Sequence, residues 1–190
     1  IFIFPTANHT RFEHSIGVAH LAKEFLKNLV QNSDNIKVKD EDYPLVEIAG
    51  LCHDLGHGPF SHAFDNEILI NSTSKYKEHE ERSIMLLKYI VNEYNIKLTT
   101  YQVENIIEMI HPNKETKYKS FVFSIVSNFR NSLDVDKIDY IQRDSYYTGI
   151  IGRSDYDRII TGARIIMTPD NTLELGWSHK LDFELFSIFR

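Results

Sequence analysis

Cys52-His53-Asp54-Leu55-Gly56-His57-Gly58-Pro59-Phe60-Ser61-His62 sets three imidazoles and a carboxylate within eleven residues. His53 and Asp54 are adjacent, so they cannot share one narrow helix stripe. At a helix end, however, both side chains can turn toward one ion. Imidazole and carboxylate together suit divalent metals such as Fe, Mn or Zn. A hydrogen-bonded polar network without metal is the other reading of the same residues. Upstream, Leu45 to Cys52 reads as the buried body of a helix with Pro44 in its first turn. Downstream, Gly56, Gly58 and Pro59 break the pattern, and Pro59 is expected to open a short helix through Ser61, His62, Phe64 and Asp65. His14 offers a third ligand from an earlier helix, and Asp136, within Asp134-Val135-Asp136-Lys137, offers a fourth.

Outward from this stretch the apolar spacing is helical. Val18, Leu21, Phe25 and Leu29 step by three or four, which predicts a helix from Glu13 to Leu29 with His14 in its first turn. Asn32 to Asp42 is polar and reads as a surface loop, and Asn71 to Lys77 as a linker. Glu78 to Tyr94 carries a stripe of Ile84, Leu87, Val91 and Tyr94. Thr99 or Thr100 can cap the next helix, whose face is Val103, Ile106 and Ile110 and which ends at His111-Pro112. Ser120 to Ser127 is short and β-branched, so its pattern fits helix or strand. Asp134 to Thr148 reads as a helix with Ile138 and Ile141 inward. Arg164 to Thr168 and Thr172 to Trp177 flank Pro169-Asp170-Asn171 as a small hairpin. The fold class is therefore all-α, with a small β-hairpin near the C-terminus.

Composition narrows the function classes. The chain has 190 residues, enough for one domain. Its 42% hydrophobic and 25% charged residues fit a globular protein. No run approaches a membrane-spanning length, and Ile1 to Thr10 lacks the features of a signal peptide. Cys52 is the only cysteine, so no intramolecular disulfide can form. An intracellular protein, cytoplasmic or nuclear, is the expectation. Lys and Arg total 21 against 27 Asp and Glu, a net charge of −6, which gives no sign of a broad nucleic-acid footprint. A phosphate-bearing partner must be held by a metal or a local cluster. Ile1-Phe2-Ile3-Phe4 at the start, and Arg190 inside the run Leu181, Leu185, Phe186 and Phe189, suggest a piece of a longer protein.

The chain resembles the HD-domain phosphohydrolase superfamily, whose metal ligands follow an H…HD…D order. Within it, the resemblance is to the deoxynucleoside-triphosphate triphosphohydrolase branch. Thr10-Arg11-Phe12-Glu13-His14-Ser15 matches the opening motif and Ala49 to His62 the central one. The match continues through His79-Glu80, Ile125-Val126-Ser127-Asn128 and Arg130-Asn131, then Asp134-Val135-Asp136-Lys137-Ile138-Asp139-Tyr140 and Arg143-Asp144. A bare His-Asp pair is a common dipeptide; the ordered series carries the likeness.

The resemblance implies a single HD-domain core over residues 1–190 with one divalent transition metal, Fe, Mn or Zn, with Mg or Ni as further options. Its ligands would be His14, His53, Asp54 and Asp136. Arg11 would grip phosphate, as would Lys137 and Tyr140, and Asp144 would meet the sugar. His57 and His79 would stand near the phosphates, and His62 beside the scissile P–O bond. Asp65 and Glu80 would orient these histidines. Glu13 is expected to cap its helix, Asp139 and Arg143 to pair, and Tyr146 and Tyr147 to pack beside the site. The implied reaction converts a dNTP and water to deoxynucleoside and inorganic triphosphate, in a homo-oligomer subject to nucleotide activation. Another HD-type phosphatase or phosphodiesterase is the first alternative; a non-catalytic nucleotide-sensing or nucleic-acid-binding module is the second. Tyr146-Tyr147 stand where related enzymes that join a SAM domain to the HD domain have histidines, so substrate positioning need not be identical.

Overall fold

Thr10 begins the first long helix by a reciprocal cap: its side chain accepts from the Glu13 backbone, and the Glu13 carboxylate accepts from the Thr10 backbone. The cap starts α1 at Arg11, and the helix runs to Gln31. A computed structural model of the chain describes residues 3–113, 120–150, 156–182 and 185. The readings that involve Ile1, Phe2, Phe186, Phe189 and Arg190 lie outside the described residues. The other helices are α2 (Asp42–Cys52), α3 (His79–Glu93), α4 (Thr100–Ile110), α5 (Val135–Thr148) and α6 (Tyr156–Gly162).

α1 is the central element. It packs against α2, α5 and α6, while α2 also packs against α4. Val18, Ala22, Phe25, Leu26 and Leu29 line its buried face and are at most 1% exposed. Each large side chain so buried contributes about 1.5–3 kcal/mol relative to exposure. Leu45, Val46 and Ala49 of α2, Ile106 and Met109 of α4 and Ile138 of α5 complete this core. Gly50 lets α2 approach α1 closely, because a Cβ there would lie 3.0 Å from the Ala19 Cα and the Val18 carbonyl oxygen.

The all-α expectation and the hairpin both hold. β1 (Arg164–Met167) and β2 (Leu173–Gly176) are antiparallel, pairing Arg164 with Gly176 and Met167 with Leu173. Asn171 takes the left-handed conformation in their turn. Thr99 caps α4 with Gln102 in the reciprocal role, and Asp134 caps α5. Among the described residues, no helix is long and apolar enough to cross a membrane.

Four local expectations change. Phe60 and Ser61 have φ of 65° and 54°, so the chain turns there and Pro59 opens no helix. Helical conformation begins at 62 and passes into a π-helical turn, Phe64–Leu69. Ser120 to Ser127 is neither strand nor α-helix but holds a 3₁₀ turn, Phe121–Ser124, whose three aromatic and aliphatic residues are buried. Tyr94 is 73% exposed and drops out of the α3 stripe, because the helix ends there and its buried face is confined to Ser83 and Leu87. α6, which sequence periodicity did not reveal, packs Ile159 and Ile160 onto α1.

Candidate active site

Each metal-type side chain stands at a helix end, where backbone geometry frees it from a single stripe. His14 occupies the first turn of α1, His53 and Asp54 follow the last turn of α2, and Asp136 lies in the first turn of α5. Their polar atoms converge. His14 Nε2 is 3.0 Å from Asp136 Oδ1 and 3.7 Å from Asp54 Oδ2. His53 Nε2 is 3.3 Å from Asp136 Oδ1 and 3.4 Å from Asp54 Oδ1.

The hydrogen bonds behind the rings select their tautomers. His14 Nδ1 donates to Asp139 Oδ2 at 2.7 Å, and His53 Nδ1 donates to the Gly50 carbonyl at 2.7 Å. Each neutral ring then turns an Nε2 lone pair toward the two carboxylates. Among the described residues, the buried His53 Nε2 has no hydrogen-bond partner. Lone pairs and carboxylate oxygens facing one point repel one another unless a cation stands between them. Without an ion the strain falls on protons. Burial lowers the His14 pKa, but Asp136 and Asp139 outweigh it and hold it at about 9. Burial raises the Asp54 pKa, but His57 and His53 bring it down to about 2. Burial likewise opposes ionisation of Asp136, while His14 and His53 pull it far below the carboxylate range. The donor set therefore fits one divalent cation.

Beside this centre opens a cleft of about 540 Å3. Arg11 reaches across it, donating from Nη1 to Asp54 Oδ2 at 2.5 Å and from Nη2 to the Ser61 hydroxyl. On the far wall His57 and His79 stack at 3.8 Å with a 15° interplanar angle. His62 meets both edge-on, at 5.3 and 5.2 Å. Asp65 Oδ2 accepts from His79 Nδ1 at 3.1 Å, and Glu80 lies 3.3 Å from His79 Nε2. Burial, the largest influence, pushes His79 below the ordinary imidazole value against the pull of Glu80. Tyr140 and Asp144 line the opposite end. They follow Asp136 at four-residue steps, which puts all three on one face of α5.

Some expected placements differ. Asp65 and Glu80 engage His79; among the described residues no hydrogen bond or ion pair reaches His62. From the π-helical turn, Asp65 meets α3 at His79 and Arg82. Lys137 is half-buried and does not line the cleft, so the structure does not bring it to the phosphate wall. Tyr146 is 84% exposed and packs on no core; the α5 face it occupies points outward. Tyr147 stacks on His9 at 4.5 Å.

Sequence reasoning missed four contributors. Asp139 pairs with Arg143 as expected, but also fixes the His14 tautomer. His9 Nε2 meets Asp144 Oδ1 at 2.7 Å. Ser83, fully buried, donates to the His53 carbonyl at 2.6 Å and accepts from the Gly56 N–H at 2.9 Å. Arg82 binds Asp65. The three-residue offset of Asp139 from Asp136 was a usable signal; the others have none in sequence.

A helical core that gathers two histidines, the adjacent His-Asp carboxylate and a distant aspartate around one point defines an HD-type centre, and residues 11–172 match the HD domain. The chain belongs to that family. It is 40% identical to the Dictyostelium discoideum protein named deoxynucleoside triphosphate triphosphohydrolase SAMHD1 homolog, over 87% of this chain and 32% of the relative. It is 37% identical to human deoxynucleoside triphosphate triphosphohydrolase SAMHD1, over 99% of this chain and 33% of the relative. A putative HD domain-containing protein of Acanthamoeba polyphaga mimivirus is 36% identical over 83% of this chain and 37% of the relative. The chain thus spans about a third of the length of these relatives.

Proposed function

We propose that the protein carrying this chain hydrolyses deoxynucleoside triphosphates to deoxynucleoside and inorganic triphosphate. The observation that carries this reading is the convergence of His14, His53, Asp54 and Asp136 on one point, in a cleft shared with Arg11 and three packed imidazoles. A site for a single phosphate needs fewer groups on that wall. The names of the SAMHD1 relatives support the substrate class. His14, His53, Asp54 and Asp136 would hold Fe, Mn or Zn, with Mg and Ni as less suitable options for this donor set. Such an ion would polarise a phosphoryl oxygen and acidify a water.

The chain's own groups supply the rest. Arg11 presents a planar fork to non-bridging oxygens, already oriented by Asp54 and Ser61. His57 and His79 face the phosphate chain. As water oxygen bonds to the α-phosphorus and releases a proton to solvent, the bond to the 5′-oxygen breaks, and His62 gives that oxygen a proton that it regains from solvent. Tyr140 and Asp144 receive the sugar end. Lys137 contributes positive field from beside the cleft. The substrate brings negative charge to a chain of net charge −6, so the attraction must be local. The catalytic unit is a single HD core over residues 1–190, and the whole protein is an intracellular homo-oligomer responsive to nucleotides.

The test uses full-length protein loaded with each metal, a dNTP panel with candidate activating nucleotides, and chromatographic identification of products. Inorganic triphosphate with deoxynucleoside is the expected result. Release of single phosphate, or of a nucleoside monophosphate, would replace this reading with that of another HD phosphohydrolase.

A further inference from the structure

Arg82 lies on α3 three residues after His79, its side chain 14% exposed, and does not line the cleft. Its guanidinium nevertheless uses every edge. Nε donates to the Gly56 carbonyl at 2.7 Å, Nη1 to the Lys77 and Tyr76 carbonyls at 2.8 and 3.2 Å, and Nη2 to Asp65 Oδ1. The group also sits over the Phe64 ring, 5.8 Å from its centroid. Four segments thus meet at one cation: the loop after α2, the π-helical turn, the linker and α3.

Two of these segments carry the phosphate-side histidines. Asp65 spends one oxygen on Arg82 and the other on His79 Nδ1. Gly56, held by its carbonyl, directly precedes His57. His57 and His79 stack in parallel at 3.8 Å, with His62 against both rings. At that spacing one ring cannot swing without displacing the next. We propose that Arg82 is a positioning residue for the reaction: by fixing Asp65 and the Gly56 carbonyl together, it sets the ring planes of His79 and His57 and so the place of His62. A lysine cannot substitute, because an ammonium lacks the planar fork that spans these acceptors. Loss of the cation would also leave the half-buried Asp65 carboxylate with His79 as its main partner.

This inference rests on the proposed hydrolase reading for its kinetic test, and has a second test that does not. In the full-length, metal-loaded protein, Arg82→Met, Asp65→Asn and the double variant are compared by kcat, KM, bound metal and thermal melting. Misplacement by 1 Å costs roughly 100-fold, so Arg82→Met should lose about 10- to 100-fold in kcat with KM and metal content kept. Asp65→Asn should lose a similar factor, and the double variant no more than the worse single one, since residues acting in one network are non-additive. A folded Arg82→Met with wild-type kcat, or losses that multiply, would overturn the proposal. Should Arg82→Met not fold, Arg82→Gln replaces it. Failure of both to fold shows a purely structural residue and also overturns it. The independent readout is the His79 Nδ1–H proton resonance, present in wild type and lost in the Arg82 variant. If wild-type protein releases no triphosphate, the function reading fails alone; persistence of that resonance in the variant sinks the Arg82 proposal.

Discussion

Asp139 and Asp136 are three residues apart on α5 and face the same imidazole from opposite sides, Nδ1 and Nε2 of His14. The first sets the tautomer, and the second shares the point toward which the lone pair is aimed. Asp139→Asn keeps the shape but can present an amide N–H to the ring, which frustrates the tautomer. The expected result is a roughly 10- to 100-fold loss in metal affinity, the usual effect of removing such an outer partner, read by titration of metal into ion-free protein. Asp136→Asn removes a charged oxygen from the centre itself. It should cost more bound metal than His62→Ala, whose ring stands against His57 and His79; elemental analysis of the two purified variants decides, and the reverse order would exchange their roles. His62→Ala should instead reduce kcat by about 100- to 10,000-fold, the range of general acid catalysis. A substrate analogue with a better leaving group at the same bond should recover part of that loss. Equal proportional loss on both substrates would make His62 a positioning group, not the acid.

At the scale of elements, the loop after α2 is held against α3 by the buried Ser83 hydroxyl as well as by Arg82. Ser83 satisfies the His53 carbonyl and the Gly56 N–H together. Ser83→Ala leaves both without that partner, at about 1–3 kcal/mol for each buried group unsatisfied. For a chain of this size each kcal/mol lowers the melting temperature by roughly 2–4 °C. Calorimetry of the variant should therefore show a clear drop, and an unchanged melting temperature would mean that water replaces the hydroxyl. Gly56 reports on the same contact. A Cβ there would sit 2.1 Å from the His79 carbonyl oxygen and 2.4 Å from the Ser83 nitrogen, both backbone atoms that cannot swing aside. Gly56→Ala must push α3 away from the loop, at about 1–3 kcal/mol for overpacking. It should lower turnover as well as stability, because His79 moves with α3. Retained turnover in the destabilised variant would separate the two effects.

The whole molecule leaves an apolar groove of about 620 Å3 between α1, α2 and α3, lined by Phe12, Ile48, Leu51, Leu55, Ile90 and Ile96. Phe12 is 72% exposed one residue from Arg11, and Leu55 is 39% exposed one residue from Asp54. Two neighbours of cleft residues are thus only partly packed by the described residues, while the relatives are about three times as long. The isolated chain is expected to turn over at least about 100-fold more slowly than the full-length protein, since small positional errors carry that cost. Matched turnover by the two, measured with the same metal and dNTP, would show that the further segments are dispensable for catalysis.

Sequence alone determined what depends on spacing along the chain. The helical steps of α1, α4 and α5, the cap at Thr99 and the hairpin around Asn171 follow from local backbone preferences. The order of His14, His53-Asp54 and Asp136 was legible because its flanking motifs are contiguous. Tertiary structure decided what depends on which elements meet. Asp65 hydrogen-bonds His79 and Arg82 because packing sets the π-helical turn against α3. Tyr146 faces outward and Lys137 stands off the cleft because α5 presents Asp136, Tyr140 and Asp144 to it. His9 finds Asp144, and Ser83 finds His53, across stretches of chain with no periodic link. A hydrogen bond leaves a trace in sequence only when its partners lie within a turn or two; when packing brings them together, each remains an ordinary polar residue until the fold is known.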